Sequence, residues 1–451
     1  MPSKSNFHKN LKNQLNKKPI QEIYRSNFTY KTVSVESYLI NFSEEIFNIF
    51  DEIFHEMDVF DKFNLLFESK IINPSENQAA EHYRYRKKDI SDEEFSVDDN
   101  LNKIKKIVSN RNPKKVFVFG IGGSYEGPKL LLESIKLTRF NAEYFFITGS
   151  DEDELNAYHK DKIYDDENLY FFISKSFKSI ETLNSFKKIQ LNNQTNNCIA
   201  ITANANEAMK HGFKNQNIIN FPETIGGRYS IWSQSALPII SDESYKNFLR
   251  GGRSADELLF GSKDYLRLLK LLSFYDIWSS NYLNSEIRVI LSYLWIFRSL
   301  PDYLQQLEME SLGKFPHPES IFTKTGKTIY GGFGPIAQHS YFQLLHQGTS
   351  NAISDIISYK GECKTLISIQ ANAQADLLSG IKKHEKGPSK VNSNISVNHF
   401  ELKEKSEFEL GWIIATWEHR VFLTSQMLSI NPFDQFGVNA GKLATEDFLK
   451  L

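Results

Sequence analysis

From residue 116 onward the chain takes on a distinct rhythm. Short, wholly apolar runs occur at 116–119, 144–147, 169–173, 198–202 and 218–221, and most are separated by stretches long enough for a helix, such as 129–138 and 180–190. A strand that is apolar at every position is covered on both faces, so the pattern predicts a parallel sheet with helices on each side. In such sheets a ligand binds beyond the carboxyl ends of the strands. Upstream, residues 34–70 carry apolar positions at helical spacing, among them Tyr38, Ile40, Ile46, Phe47, Ile49, Phe50, Ile53 and Phe54. Residues 87–102 are charged and irregular and read as a surface loop or linker. Beyond Ser254 the pattern is mostly helical, with strands expected at 327–330 and 364–369, a helix from about Glu407 to Leu428 and a short C-terminal segment. The expected organisation is an N-terminal arm and helical segment (1–100), two layered α/β domains (101–250 and 251–430) and a C-terminal piece (431–451).

Composition narrows the function classes. The 451 residues include 35 Phe and 20 Tyr, ample for real cores, and the formal charge of -2 gives none of the basic footprint of a nucleic-acid binder. The two cysteines, Cys198 and Cys363, form neither a metal-type spacing nor a disulfide framework, which suits a reducing cytoplasm. The longest apolar run, 289–297, is half of the roughly 20 residues a bilayer helix requires, so no membrane span is expected. The first twenty residues, lysine-bearing and free of acid, read as a solvated arm.

Chemistry concentrates at strand ends. The stretch GIGGSYEGP at 120–128 clusters glycines where a strand hands over to a helix. It fits neither the dinucleotide fingerprint, because Tyr125 stands where the third glycine belongs, nor the nucleotide-triphosphate loop, because Pro128 follows Gly127. What is left is a tight turn with converging amides, Ser124 adding a hydroxyl and Pro128 suited to a first helical turn. The stretch SKSFKSIET at 174–182 sets Ser174, Lys175, Ser176, Ser179 and Thr182 at the end of the next strand but one. One helix cap needs one hydroxyl, whereas several neutral donors at a helix start suit a phosphate monoester.

Three further stretches add charged and polar groups. GGRYSIW at 226–232 offers Arg228, whose planar fork serves either a developing oxyanion or a salt bridge. QQLEMESLGK at 305–314 offers Gln306, Glu308, Glu310 and Lys314, with the two carboxylates on different helix faces; spacing leaves open which, if either, is a base. In QHSYFQLLHQGT, His339 and His346 lie seven apart, too far for the usual helical metal pair, so one structural and one functional histidine are expected.

Taken in order, GIGGSYEGP, SKSFKSIET, GGRYSIWS, QQLEMESLGK, QHSYFQLLHQGT and FDQFGVNAGK resemble the glucose-6-phosphate isomerase (phosphoglucose isomerase) family over residues 110 to 442. The resemblance implies two α/β/α sandwich domains of the sugar-isomerase type, a homodimer sharing its active sites, and cytoplasmic isomerisation of glucose 6-phosphate to fructose 6-phosphate without metal or cofactor. It implies Glu310 as the base, Gln306 as its substrate-contacting neighbour, and His339 (from the partner subunit) with Lys442 in ring opening. It further implies Arg228 stabilising the enediolate, Ser174, Lys175, Ser176 and Ser179 holding phosphate, and Gly123 and Ser124 contacting sugar. A sugar-phosphate sensor on the same fold, or an isomerase that also takes mannose 6-phosphate, are the alternatives. The chain departs from the family pattern at 331–337, where GGFGPIA stands for Gly-Glu-Pro-Gly-Thr-Asn-Gly.

Overall fold

The computed structural model describes residues 4–16, 23–88, 90, 92–109, 111–157, 167–191, 195–361, 364–384 and 386–448. Cys363 lies outside them. The described chain opens with a helix at Lys4–Asn16, whose Leu11 is buried in the core, so the expected solvated arm is packed from its first turns. An antiparallel hairpin follows, β1 (Tyr24–Tyr30) and β2 (Val33–Leu39), and then helices α1 (Glu44–Glu56) and α2 (Val59–Phe67). The helical reading of 34–70 therefore holds from residue 44. Before it, VSVESYL alternates buried and half-buried positions, the two-residue period of a strand, and Tyr38 lies in β2. Ser43 caps α1 by accepting from the Ile46 amide.

The first parallel sheet contains β3 (Lys115–Phe119), β4 (Glu143–Ile147), β5 (Asn168–Ile173), β6 (Cys198–Thr202) and β7 (Ile218–Asn220), in the order β4-β3-β5-β6-β7. These match the expected apolar runs, and β5 and β6 are buried at every residue. Helix α3 (Gly123–Ser134) follows β3 and α4 (Ile180–Leu191) follows β5. The chain goes from β3 outward to β4 and then crosses back to β5, so the strand order reverses between β3 and β5. That reversal opens a crevice at the strands' carboxyl ends. Register puts Phe119 beside Phe172, their rings stacked 4.5 Å apart, so the loops leaving the two strands emerge side by side.

Two long helices, α5 (Asp242–Gly261) and α6 (Lys263–Tyr282), lead to the second sheet. Its strands β8 (Ile287–Ser292), β9 (Thr328–Phe333), β10 (Ala352–Tyr359) and β11 (Ser396–Leu402) are parallel, and the N-terminal hairpin pairs antiparallel with β11 to complete the order β1-β2-β11-β10-β8-β9. The N-terminal segment, expected as an arm plus helices, thus contributes two strands to the second sheet. Helix α7 (Leu300–Leu312) lies between β8 and β9, and α8 (Leu366–Ser379) between β10 and β11. The strand expected at 364–369 is the start of α8, fixed by a capping box between Thr365 and Ser368. The expected helix at 407–428 is α9 (Glu407–Met427), buried almost throughout and central to the molecule. An exposed helix, α10 (Phe436–Phe448), ends the described chain. No helix among the described residues is long and apolar enough to cross a membrane.

A buried polar stripe links the second sheet to α7. Ser37 donates to Asn398 (2.8 Å), Asn398 donates to Asp355 (2.8 Å), Arg288 pairs with Asp355, and Arg288 Nε donates to Glu308 on α7 at 3.1 Å. Charges this deep are stable only when paired, so the stripe fixes which face α7 turns inward.

Candidate active site

The crevice between β3 and β5 widens into one cleft of ≈ 1860 Å³. Its floor is the turn after β3. Gly122 has φ +60 and ψ −127, a conformation costly for any residue with a side chain. A Cβ on Gly123 would stand 1.9 Å from the Gly227 carbonyl, so this glycine lets α3 press against the segment carrying Arg228. Helix α3 begins at Gly123, which puts Pro128 in its second turn rather than the expected first. The proline ring leaves the Ser124 carbonyl without its helical amide.

The turn after β5 forms the adjacent wall. The Ser174 amide bonds the Ile201 carbonyl (3.0 Å) and the Ser174 and Ser179 hydroxyls lie 3.2 Å apart, with Ser179 immediately before α4. Phe177, buried at φ +53, bends the loop so that Ser174, Lys175, Ser176 and Ser179 all line the cleft. Thr182, grouped with them by sequence, is buried away from the cleft. Burial lowers the Lys175 amine below the usual lysine range, while Glu76 and Glu223 act against that shift.

The opposite wall is α7. Gln306 and Glu310, one turn apart, face the cleft, and Gln306 Nε2 lies 3.4 Å from Glu310 Oε2. Gln306 Oε1 is buried with no hydrogen-bond partner among the described residues. Glu308 faces the other way: it is 2% exposed and accepts from Arg288 Nε and Trp417 Nε1, both at 3.1 Å. The two carboxylates that spacing could not separate therefore have distinct environments, one structural and one lining the cleft.

Arg228 ties the walls together. Its Nη1 lies 3.4 Å from Glu310 Oε2 and donates to Gln435 Oε1 at 3.0 Å; Nε donates to Ser311 at 2.8 Å; Nη2 donates to the carbonyls of Pro432 and of Asp434 (3.1 Å). Lys314 bonds the Asp434 carbonyl and its Oδ1 (2.9 Å). Lys442, on α10, lines the cleft.

His339 stands apart. It is exposed at the end of the short helix Gly334–Gln338 and does not line the cleft of its own chain. The divergent 331–337 stretch is the end of β9 and this short helix. His346 is the structural histidine, its Nε2 2.9 Å from Gln374 Oε1. Sequence reasoning missed Glu76 and Glu223 as cleft residues. Glu76 sits in the tight 73–78 turn, whose NPSEN composition signals a turn and nothing of its neighbours.

Comparison with known proteins places the chain in one family. The family model described as phosphoglucose isomerase matches residues 39–450. A glucose-6-phosphate isomerase of Buchnera aphidicola subsp. Cinara cedri is 30% identical, with 89% of this chain and 83% of the relative covered. One of Legionella pneumophila (strain Paris) is also 30% identical, with 88% and 85% covered. Among solved structures, a glucose-6-phosphate isomerase from Chlamydia trachomatis shares the fold with a TM-score of 0.81 at 20% identity, with 100% of this chain and 95% of that one covered.

Proposed function

The chain belongs to the phosphoglucose isomerase family and catalyses the isomerisation of glucose 6-phosphate to fructose 6-phosphate, and we propose that Glu310 is the base that carries the proton between C1 and C2. The observation that carries this assignment is the position of Glu310 in one cleft with the strand-end hydroxyls of Ser174 and Ser179, its Oε2 held 3.4 Å from Arg228 Nη1.

The 6-phosphate takes the hydroxyls of Ser174, Ser176 and Ser179 together with the Lys175 ammonium, at the start of α4. Anchoring there orients C1 and C2 against Glu310 and uses remote binding energy to lower the barrier. Gly123 and Ser124 border the sugar, and Gln306 offers its unpartnered Oε1 to a substrate hydroxyl. The substrate arrives mostly as a closed ring, so a proton donor and acceptor, Lys442 and His339, open it first. Glu310 then removes the C2 proton and returns it at C1 on the same face of a cis-enediolate. The intermediate's charge is stabilised by the nearby guanidinium. Since the Arg228 donors already serve protein acceptors, its help comes through field rather than through a new hydrogen bond.

We further propose a homodimer in which each cleft receives His339 from the partner chain. This is supported by the exposure of His339 outside its own cleft and by the exposed Ile336 and Leu344 beside it. A cytoplasmic enzyme of two sandwich domains, 101–250 and 251–430, the second completed by the N-terminal hairpin, fits the same reading. The test is turnover of fructose 6-phosphate by the purified chain, coupled to oxidation of glucose 6-phosphate, in the presence of chelator. Sustained turnover is expected; none, from folded protein that still binds the sugar phosphate, would point to a sensor.

A further inference from the structure

We infer that Lys314 and Asp434 form a latch that positions Lys442 over the cleft, which makes Lys314 a positioning residue for the isomerisation. The inference rests on the role given to Lys442 above.

Helix α10 is exposed along the whole of its described length, including Phe436, Val438 and Leu443. A helix is ordinarily located by the face it buries. Within its own chain α10 buries no such face, so its direction there is inherited from the turn at 431–435 that precedes it. Lys442 lies seven residues past Gln435, about 10 Å along the helix axis. A small change of angle at the turn therefore becomes a large displacement of the amine.

That turn is gripped from two sides. On one side Lys314 holds Asp434 through its backbone carbonyl and its Oδ1 (2.9 Å), while Arg228 holds the Pro432 and Asp434 carbonyls and the Gln435 side chain. On the other, Asp434 Oδ2 accepts from Ser75 Oγ and Asn431 Nδ2, both at 2.9 Å. The Asp434 carboxylate is buried, with one oxygen committed to the end of the catalytic helix and the other to the N-terminal segment. Lys314 is itself fixed: its amide bonds the Leu312 carbonyl (2.8 Å) and its carbonyl accepts from Thr325 Oγ1 (2.6 Å). It follows Glu310 by four residues, just past the end of α7, so the latch registers Lys442 against the proposed base.

The test is a double-mutant cycle on kcat in the full chain: Lys314→Met, Lys442→Ala and the pair together, with Lys314→Arg as the conservative variant. Lys314→Met is expected to lower kcat between roughly tenfold and a hundredfold while KM changes little, because the phosphate site is untouched. Lys314→Arg recovers most of the loss, and Lys314→Met costs nothing further once Lys442 is alanine. Wild-type kcat in Lys314→Met, or losses that multiply in the pair, would overturn the latch. If Lys314→Met does not fold, Asp434→Asn, which keeps the backbone carbonyl, runs the same cycle. Amide hydrogen exchange across 436–448 reads the latch without turnover. Faster exchange in Lys314→Met supports it and unchanged exchange removes it, so failure of the isomerase reading and failure of the latch are told apart.

Discussion

Arg228 Nη1 lies 3.4 Å from Glu310 Oε2, within the same guanidinium that holds the turn leading to Lys442. The Glu310 side chain lines the same cleft as the Ser174–Ser179 loop. Glu310→Gln keeps the shape and the phosphate site but cannot take a proton. Its kcat is expected to fall by several orders of magnitude, with binding of inorganic phosphate, measured by calorimetry, unchanged. Near-normal turnover in this variant would remove Glu310 from its role.

Glu308, two residues earlier, predicts the opposite phenotype. Its loss in Glu308→Ala leaves Arg288 Nε and Trp417 Nε1 buried without their acceptor. Breaking a buried pair in this way costs about 3–5 kcal/mol. A drop of several degrees in melting temperature is expected, with most of the turnover retained by the folded fraction. A variant of normal stability and abolished turnover would mean the buried stripe has been misread.

The shared site predicts complementation. A dimer of one His339→Ala chain and one Glu310→Gln chain contains one cleft with both defects and one with neither. Mixing the two inactive variants under exchange conditions should therefore restore about a quarter of wild-type activity, since half the dimers are mixed and each has one intact site. Full activity in a chain shown to be monomeric would contradict the arrangement.

Lys175 gives the cleft a pH signature. Burial, the largest effect on its amine, lowers its pKa, so the charge that attracts phosphate is shed below the ordinary lysine value of 10.5. On the alkaline side, kcat/KM should fall before that value is reached. Lys175→Arg, which keeps its proton, should move the limb upward. An identical limb in both proteins would assign the titration to another group, and Lys314, also lowered by burial, would be next in line.

The parts of the fold legible in the sequence are those where burial and polarity agree. The strands β3 to β7 stand out because every residue in them is apolar or nearly so. The strands β10 and β11 were missed because Asp355, Asn398, His399 and Glu401 interrupt them, and these side chains are buried only because the stripe and its neighbours pair them. Such pairing is a tertiary fact, invisible to periodicity. Likewise the residues alone could not choose between Glu308 and Glu310; the choice lies in Arg288, twenty positions away, and the family resemblance had to carry it. Glu76 was illegible for the same reason, its relevance arising only from where the 73–78 turn lands beside Lys175 and Asp434.

Lys327, just before β9, links the buried stripe to stability. Its amine is 5% exposed and donates to Ser279 Oγ (2.9 Å) and the Ser285 carbonyl (2.6 Å), and burial pushes its pKa down to about 7 despite Asp276 and Glu308 nearby. Between pH 7 and the ordinary lysine value of 10.5 the unfolded chain carries a proton that the folded chain has shed. The unfolded state then binds more protons, so this residue's contribution to stability rises with pH across that window and is flat below it. Each pH unit inside the window is worth about 1 kcal/mol. Urea denaturation at pH 7, 8 and 9 should show the wild type gaining on Lys327→Met by that slope as pH rises. Parallel curves would mean that the amine keeps its proton when folded, and that Asp276 and Glu308 outweigh the cost of burying it.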